Sequence, residues 1–291
     1  MTTTAASAIK FSEILIATDF SDASDNALAY AKGMARNFES ELLLVHVTAP
    51  LAHIAVPESV WVDDDSARIG AELEATQSAG AALRSEGFKA TQLSAFGGVA
   101  REIAQAAAEH HADLIVAGTH CRKGLNRLIF GSDAESILKA TNLPVLIVGP
   151  KAKTAPVGKW HLHFVLCAVN LDEHGADVAL YSRQFAEEQG SRTQTVCLPF
   201  YDALQEAEGY GNFKKRLRET LPADEADKLS PAVLCEPAKE TLTEIAIARD
   251  ADLVIFDQRS GLLGWPHLPS GLLADLLTTA PCPVLAIPYT T

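Results

Sequence analysis

No apolar run in this 291-residue chain approaches the roughly 18 residues of a membrane-crossing helix. The longest uncharged stretches, near 260–274 and 276–291, are broken by proline and glycine, so no membrane insertion is expected. The opening MTTTAASAIKFSE has no basic end leading into an apolar core, which gives no expectation of a secretory signal. Cysteine is sparse: Cys121, Cys167, Cys197, Cys235 and Cys282 lie no closer than 30 residues apart, which excludes a C-x-x-C zinc or redox pair. An odd thiol count without an export signal predicts reduced cysteines in a cytoplasmic protein. Positive charge is also short, with 24 Lys and Arg against 37 Asp and Glu and a net charge of −13. That sign disfavours general binding to nucleic acid or to an anionic membrane. Neither a G-x-S-x-G elbow nor an H-E-x-x-H motif occurs. What the chain does have is apolar material, 48% hydrophobic against 21% charged residues, enough for a globular protein with two cores.

An internal repeat organises the chain. Ile14-Leu-Ile-Ala-Thr-Asp19 returns as Val165-Leu-Cys-Ala-Val-Asn170 at an offset of 151. Asp113-Leu-Ile-Val-Ala-Gly118 returns as Asp252-Leu-Val-Ile-Phe-Asp257, and Leu143-Pro-Val-Leu-Ile as Cys282-Pro-Val-Leu-Ala, both at an offset of 139. The second copy is therefore 12 residues shorter in its middle. Between the copies, Pro150–Lys159 carries two prolines, a glycine and three lysines with no periodicity and reads as a linker. The expected organisation is one domain over 1–150, a linker over 151–159 and a second domain over 160–291.

In the first copy, the apolar runs 14–18, 42–47, 91–96, 113–117 and 143–149 are short, near-continuous and partly β-branched, the pattern expected of strands buried on both faces. Helical spacing appears at 22–37, 99–110 and 133–140, with Ser21 placed as an N-cap and Asp22 and Asp25 in the first turn. Strands alternating with helices predict an α/β fold of two tandem, doubly wound parallel sheets, Rossmann-like, of about five strands each. Ligands of such sheets sit beyond the carboxyl ends of the strands, where strand order reverses.

Asp19 ends the first predicted strand, His46 and Val47 the second, Gly97-Gly98 follow the third, and Gly118-Thr-His-Cys121 follows the fourth and leads to Gly131-Ser132. An acid at the first strand end can accept from ribose hydroxyls, and glycines beside a helix start let backbone N–H groups approach phosphate. Arg122, Lys123 and Arg127 lie between them with no acid from 118 to 132, a local reversal of the chain's negative charge. Each feature alone has an ordinary explanation. Asp19 fits a loop or N-cap acid, Gly131-Ser132 a plain helix start, and the basic loop a solvated surface. Their convergence on one edge favours a nucleotide.

Taken together, Ile-x-x-Asp19, His46-Val47, Gly97-Gly98, Asp113-Leu-Ile-Val-Ala-Gly118-Thr-His and Gly131-Ser132 resemble the universal stress protein family, closely over 10–150 and in outline over 160–290. Two copies in one chain are similar to its tandem form, on the adenine nucleotide alpha hydrolase-like fold. The resemblance implies ATP or a related adenine nucleotide, with or without Mg2+, held through the pattern G-x-x-G-x9-G-[S/T]. Gly118, Gly131 and Ser132 match that pattern, while Cys121 stands where its second glycine belongs. If that position needs a positive φ, the Cβ of Cys121 weakens binding by about an order of magnitude. By the same resemblance Asp19 meets the ribose or adenine edge, Val47 offers backbone contacts to adenine, and the last strands of two domains pair, with a homodimer through domain edges.

The second copy departs from the pattern. Asn170 replaces the acid, Asp257 stands at Gly118, Ser260 at Cys121 and Ser270-Gly271 at Gly131-Ser132, so an acid at the phosphate position is expected to repel the ligand. Its basic loop has become the apolar 261–269, suited to an apolar ligand, the partner domain or another chain, with packing against protein the more ordinary outcome. His161-x-His163 lacks a third ligand nearby, and the basic run 213–218 reads as a solvated helix face. The loop Asp19-Phe-Ser-Asp-Ala-Ser matches neither the Ser-Gly-Gly-x-Asp-Ser loop of adenylating ATP pyrophosphatases nor the His-x-Gly-His of class I tRNA synthetases, and no acid–base pair or nucleophile gathers at the edge. The expectation is a cytoplasmic stress-response or signalling protein, not a dedicated enzyme, with nucleotide in the first copy and assembly or partner contact in the second. The alternatives are an adaptor with both sites degenerate, or a weak ATPase using Arg122, Lys123 and Arg127.

Overall fold

The computed structural model describes residues 9–50, 65–119, 132–197, 203–229, 232–233, 238–258 and 272–288. The first half runs β1 (Glu13–Thr18), α1 (Asp22–Phe38), β2 (Glu41–Thr48), α2 (Asp65–Ser85), β3 (Ala90–Phe96), α3 (Val99–Glu109), β4 (Leu114–Gly118), α4 (Ser132–Ala140) and β5 (Val145–Val148). The second runs β6 (Phe164–Val169), α5 (Glu173–Glu188), β7 (Arg192–Cys197), α6 (Ala203–Thr220), α7 (Ala223–Lys228), β8 (Ala232–Val233), α8 (Ala238–Ala248), β9 (Leu253–Asp257), α9 (Leu272–Thr279) and β10 (Val284–Ile287).

All ten strands among the described residues join one sheet in the order β3-β2-β1-β4-β5-β10-β9-β6-β7-β8. Each half therefore repeats one doubly wound order, and the pairs within a half are parallel. The halves meet where β10 runs antiparallel to β5, Val284 opposite Ile147, Leu285 opposite Leu146 and Ala286 opposite Val145. That is the last-strand pairing the resemblance implied. Strands such as Ile14-Leu-Ile16 and Leu114-Ile-Val116 are buried on both sides because helices cover both faces. Ile14, Ile16, Leu42 and Leu44 pack with Tyr30, Met34, Phe185 and Phe213 on the face of α1, α2, α5 and α6. Leu15, Leu43 and Val45 pack with Ile103, Leu138, Leu242 and Leu276 on the face of α3, α4, α8 and α9.

The repeat is legible in backbone detail. Asp113 Oδ2 accepts from the N–H groups of Ser12 (2.6 Å) and Glu13 (3.0 Å), and Asp252 Oδ2 accepts from His163 (2.6 Å) and Phe164 (3.1 Å). In each half an acid before one strand ties down the entry to its neighbour. Left-handed residues recur likewise, Glu39 (φ 57°) with Gly190 (φ 66°) and His111 (φ 55°) with Asp250 (φ 51°).

Segment 150–163 does more than link. Tyr30 Oη donates to the Lys153 carbonyl at 2.9 Å, the Ala155 N–H donates to Asn26 Oδ1 at 3.2 Å, and Asn37 Nδ2 donates to the Trp160 carbonyl at 2.7 Å. Buried Trp160 packs edge-on against Tyr30, so the segment straps α1 to the second half. Phe11, Phe38, Phe185 and Tyr181 continue that contact as an aromatic cluster. Helix α2 was not marked by apolar spacing: its described inward positions are Glu72, Thr76, Gly80 and Leu83.

Candidate functional site

Strand order reverses at β1, whose neighbours β2 and β4 lie on opposite sides, so the carboxyl ends of β1 and β4 bound the crevice expected of this fold. The ladder pairs Thr18 with His46, Ala17 with Ala117 and Val47 with Ala95. Asp19, Val47 and Gly118 consequently stand on three adjacent strand ends.

The turn from β1 into α1 is tightly specified. Ser21 caps the helix, its Oγ accepting from the Ser24 N–H at 3.3 Å while Ser24 Oγ accepts from the Ser21 N–H at 3.0 Å. Asp19 is exposed at this edge, and its Oδ1 accepts from the Ser21 N–H at 3.1 Å and from the Ser21 hydroxyl. Between them Phe20 adopts φ 59°, a left-handed conformation that a bulky residue takes only under constraint. Its N–H donates to Thr18 Oγ1 at 3.1 Å, and its ring lies 4.8 Å from that of His46. The strained turn leaves Asp19 exposed at the end of β1.

Gly118 ends β4 against the first turn of α1. A Cβ built there would lie 2.4 Å from the Ala23 carbonyl oxygen and 2.8 Å from the Ser24 nitrogen, both backbone. Close helix–strand approach therefore requires glycine at 118 before any ligand is considered. Val47 is half-buried against the α3 and α4 face. Ser132 opens α4, whereas Cys121, Arg122, Lys123, Arg127 and Gly131 lie outside the described residues, as does the side chain of Ser132.

A polar cluster beside this edge was not singled out from sequence. His46 Nδ1 donates to the Thr18 carbonyl at 2.8 Å, and Nε2 lies 3.2 Å from Glu72 Oε2. Thr48 Oγ1 donates to the same carboxylate oxygen, and Arg68 Nη1 donates to Glu72 Oε1 at 3.0 Å. The Thr48 hydrogen bond, with those from His46 and Arg68, holds the Glu72 carboxyl below its ordinary value despite partial burial. Glu72 lies more than 20 residues from both strand partners, so no sequence spacing announces it.

The second half closes the equivalent position. Asp257, expected as an acid facing a ligand space, is fully buried instead. Asn170 Nδ2 donates to its Oδ2 at 3.2 Å, and His174 Nε2 stands 3.1 Å from its Oδ1. At offsets of 151 and 139, Asn170, His174 and Asp257 correspond to Asp19, Ala23 and Gly118. Three substitutions together fill this strand end with protein; comparing the copies at position 174 was the signal available for it. Ser260, 261–269 and Ser270-Gly271 lie outside the described residues.

The features set aside earlier stay outside this site. His161 and His163 precede β6 on the exposed surface, and no group of three metal-ligating side chains occurs among the described residues. Lys214 and Arg218 pair with Asp227, and Arg216 with Asp177. No described helix is long and apolar enough to cross a membrane.

A family model described as "Universal stress protein family" matches residues 10–149. A universal stress protein of Methanocaldococcus jannaschii is 32% identical over 139 residues, which span 47% of this chain and 82% of that protein. Universal stress protein YxiE of Bacillus subtilis is 30% identical over 146 residues, 47% of this chain and 99% of its own length. Over the whole architecture, the crystal structure of a universal stress protein from Archaeoglobus fulgidus aligns with 95% of this chain and 98% of its own, at a TM-score of 0.68 and 16% identity. Nearly full-length relatives that match half of this chain, and a fold shared across both halves, agree with the internal repeat. The chain belongs to the universal stress protein family.

Proposed function

We propose that this protein is a cytoplasmic stress-response or signalling protein whose first domain, 1–150, binds ATP or a related adenine nucleotide, with or without Mg2+. The second domain, 160–291, serves assembly or partner contact, and 151–159 joins the two. The protein acts as a nucleotide-responsive module, with no dedicated catalytic group, and two copies associate through domain edges.

One observation carries the reading: Asp19, Val47 and Gly118 share the strand ends at the switch point, while the second half fills the same place with Asn170, His174 and Asp257. In the first half the adenine and ribose side belongs to Asp19 and Val47. The phosphates belong to the loop beyond Gly118, where Gly131, Ser132, Arg122, Lys123 and Arg127 supply N–H groups, a hydroxyl and positive charge. Cys121, in the place of a glycine, sets the affinity below that of the full pattern.

Calorimetry with Mg·ATP on the native chain and on Asp19→Ala and Gly131→Leu tests this. One site per chain, weakened in both variants, is the expected result. Absence of heat and of any thermal shift at millimolar ATP leaves the adaptor reading in its place.

A further inference from the structure

We propose that Glu72 of α2 is a positioning residue for the strand-end site of the first half, acting through His46 and Thr48; this rests on the nucleotide reading above. Residues 46 and 48 both point to the α2 side of β2, whereas Val47 between them points to the opposite face. One carboxylate therefore grips β2 on both sides of the residue whose backbone is offered to the base. His46 and Thr48 are 6% and 5% exposed, so the Thr48 hydroxyl makes an oriented, charge-assisted hydrogen bond to Glu72 and the His46 ring is held with Nε2 3.2 Å from the same carboxylate oxygen, away from bulk water.

The chain of contacts continues to the other half of the ribose and adenine side. The Thr18 carbonyl only accepts, so hydrogen sits on His46 Nδ1 and the ring is fixed against β1 one residue before Asp19. Its face meets Phe20, the left-handed residue that follows Asp19. Arg68 closes the far side, reaching the Ala49 carbonyl at 3.4 Å as well as Glu72. Glu72 thus connects to Thr18, Phe20, His46, Thr48 and Ala49, the residues flanking Asp19 and Val47. A helix face that needed only to cover the sheet would bury an apolar side chain here, as it does at Leu83.

The test pairs calorimetry of Mg·ATP with nuclear magnetic resonance of the ligand-free full chain, on Glu72→Ala, Glu72→Gln and the exposed same-helix control Glu74→Ala. Glu72→Ala is expected to weaken ATP binding about tenfold and to shift the His46 ring signals and the Asp19 and Val47 amides without ligand. Glu72→Gln, whose amide oxygen still accepts from Thr48, recovers most of the affinity, and Glu74→Ala changes neither readout. Native affinity in Glu72→Ala overturns the proposal. Should the native chain bind no ATP, the nucleotide reading fails separately, and the ligand-free spectra decide: unmoved Asp19 and Val47 amides in Glu72→Ala overturn the positioning role, and shifted ones uphold it. If Glu72→Ala does not fold, Thr48→Val, which removes one donor at nearly constant volume, substitutes under the same criteria.

Discussion

His174 Nε2 stands 3.1 Å from Oδ1 of Asp257, and this pair occupies in the second half the place where Gly118 meets Ala23 in the first. The carboxylate, 0% exposed, also accepts from Asn170. Removing one member of a buried polar pair costs more than the pair contributes, because the partner loses its counterpart away from water. Asp257→Ala should lower stability by about 3 kcal/mol, read from urea unfolding, while leaving ATP affinity unchanged. A gain of a second nucleotide site would show that Asp257 blocks a ligand space instead of replacing one.

Gly118→Ala probes the opposite arrangement. A methyl group 2.4 Å from the Ala23 oxygen cannot be relieved by a side-chain rotation, so β4 or the start of α1 must move. The expected cost is roughly 2 kcal/mol or more, with nucleotide affinity falling as the Asp19 turn shifts. An unchanged melting temperature would sink the close-approach argument.

The left-handed residues that follow α1 and α5 supply a paired comparison. Glu39 and Gly190 occupy equivalent positions at φ 57° and 66°, and a side chain there is strained where glycine is not. Glu39→Gly should stabilise by roughly 0.5–1 kcal/mol and Gly190→Ala should destabilise by about as much. Thermal unfolding of both variants checks the signs; a loss in Glu39→Gly refutes the argument.

Strands β1, β2, β4 and β5, with α1, α3 and α4, were legible because parallel strands covered on both faces need continuous apolar runs and those helices keep an apolar stripe; β3, expected to be buried on both faces, is instead the sheet's edge strand, with no fully buried residue and Phe96 exposed. Observed β1 to β5 and these helices begin and end close to the spans read from sequence. Helix α2 escaped because Glu72, Thr76 and Gly80 turn inward where an apolar stripe was sought, while Ile69 and Leu73 face out. Asp19, Val47 and Gly118 could be placed from strand ends alone. The links to Glu72 could not, since hydrogen bonds across more than 20 residues leave no spacing rule. Asp257 was identified as a departure, but its meaning depended on burial, and a lone acid in a sequence does not reveal whether it faces water or His174.

Buried thiols give a chemical test of the core. Burial pushes the thiols of Cys167 and Cys282 up to about 12, and Cys197 is equally enclosed. Thiolate is the reactive form, so at pH 8 these three should resist an alkylating reagent in the folded chain and react once urea is added. Peptide mass spectrometry of labelled protein distinguishes them from Cys121 and Cys235. Rapid native-state labelling at 167 or 282 would contradict the packing of β6 or of the β10 approach.

Two carboxylates make opposite contributions to acid stability. The Thr48 hydrogen bond, with those from His46 and Arg68, lowers the Glu72 carboxyl, so its stabilisation is present above the unfolded-state value and is lost as pH falls through the folded one. Glu13 is raised, first by burial and then by Glu41 and Asp113, with His110 opposing, so its ionised form is penalised near neutrality and the penalty vanishes in acid. At pH 7 Glu72→Gln should be less stable than the native chain and Glu13→Gln more stable. Both differences should shrink as pH falls toward about 3, where protonation removes the charge that distinguishes each variant. Urea midpoints taken across that range measure them. Differences of the same sign, or differences that grow in acid, would show that Glu13 and Glu72 stand in other electrostatic surroundings than those described.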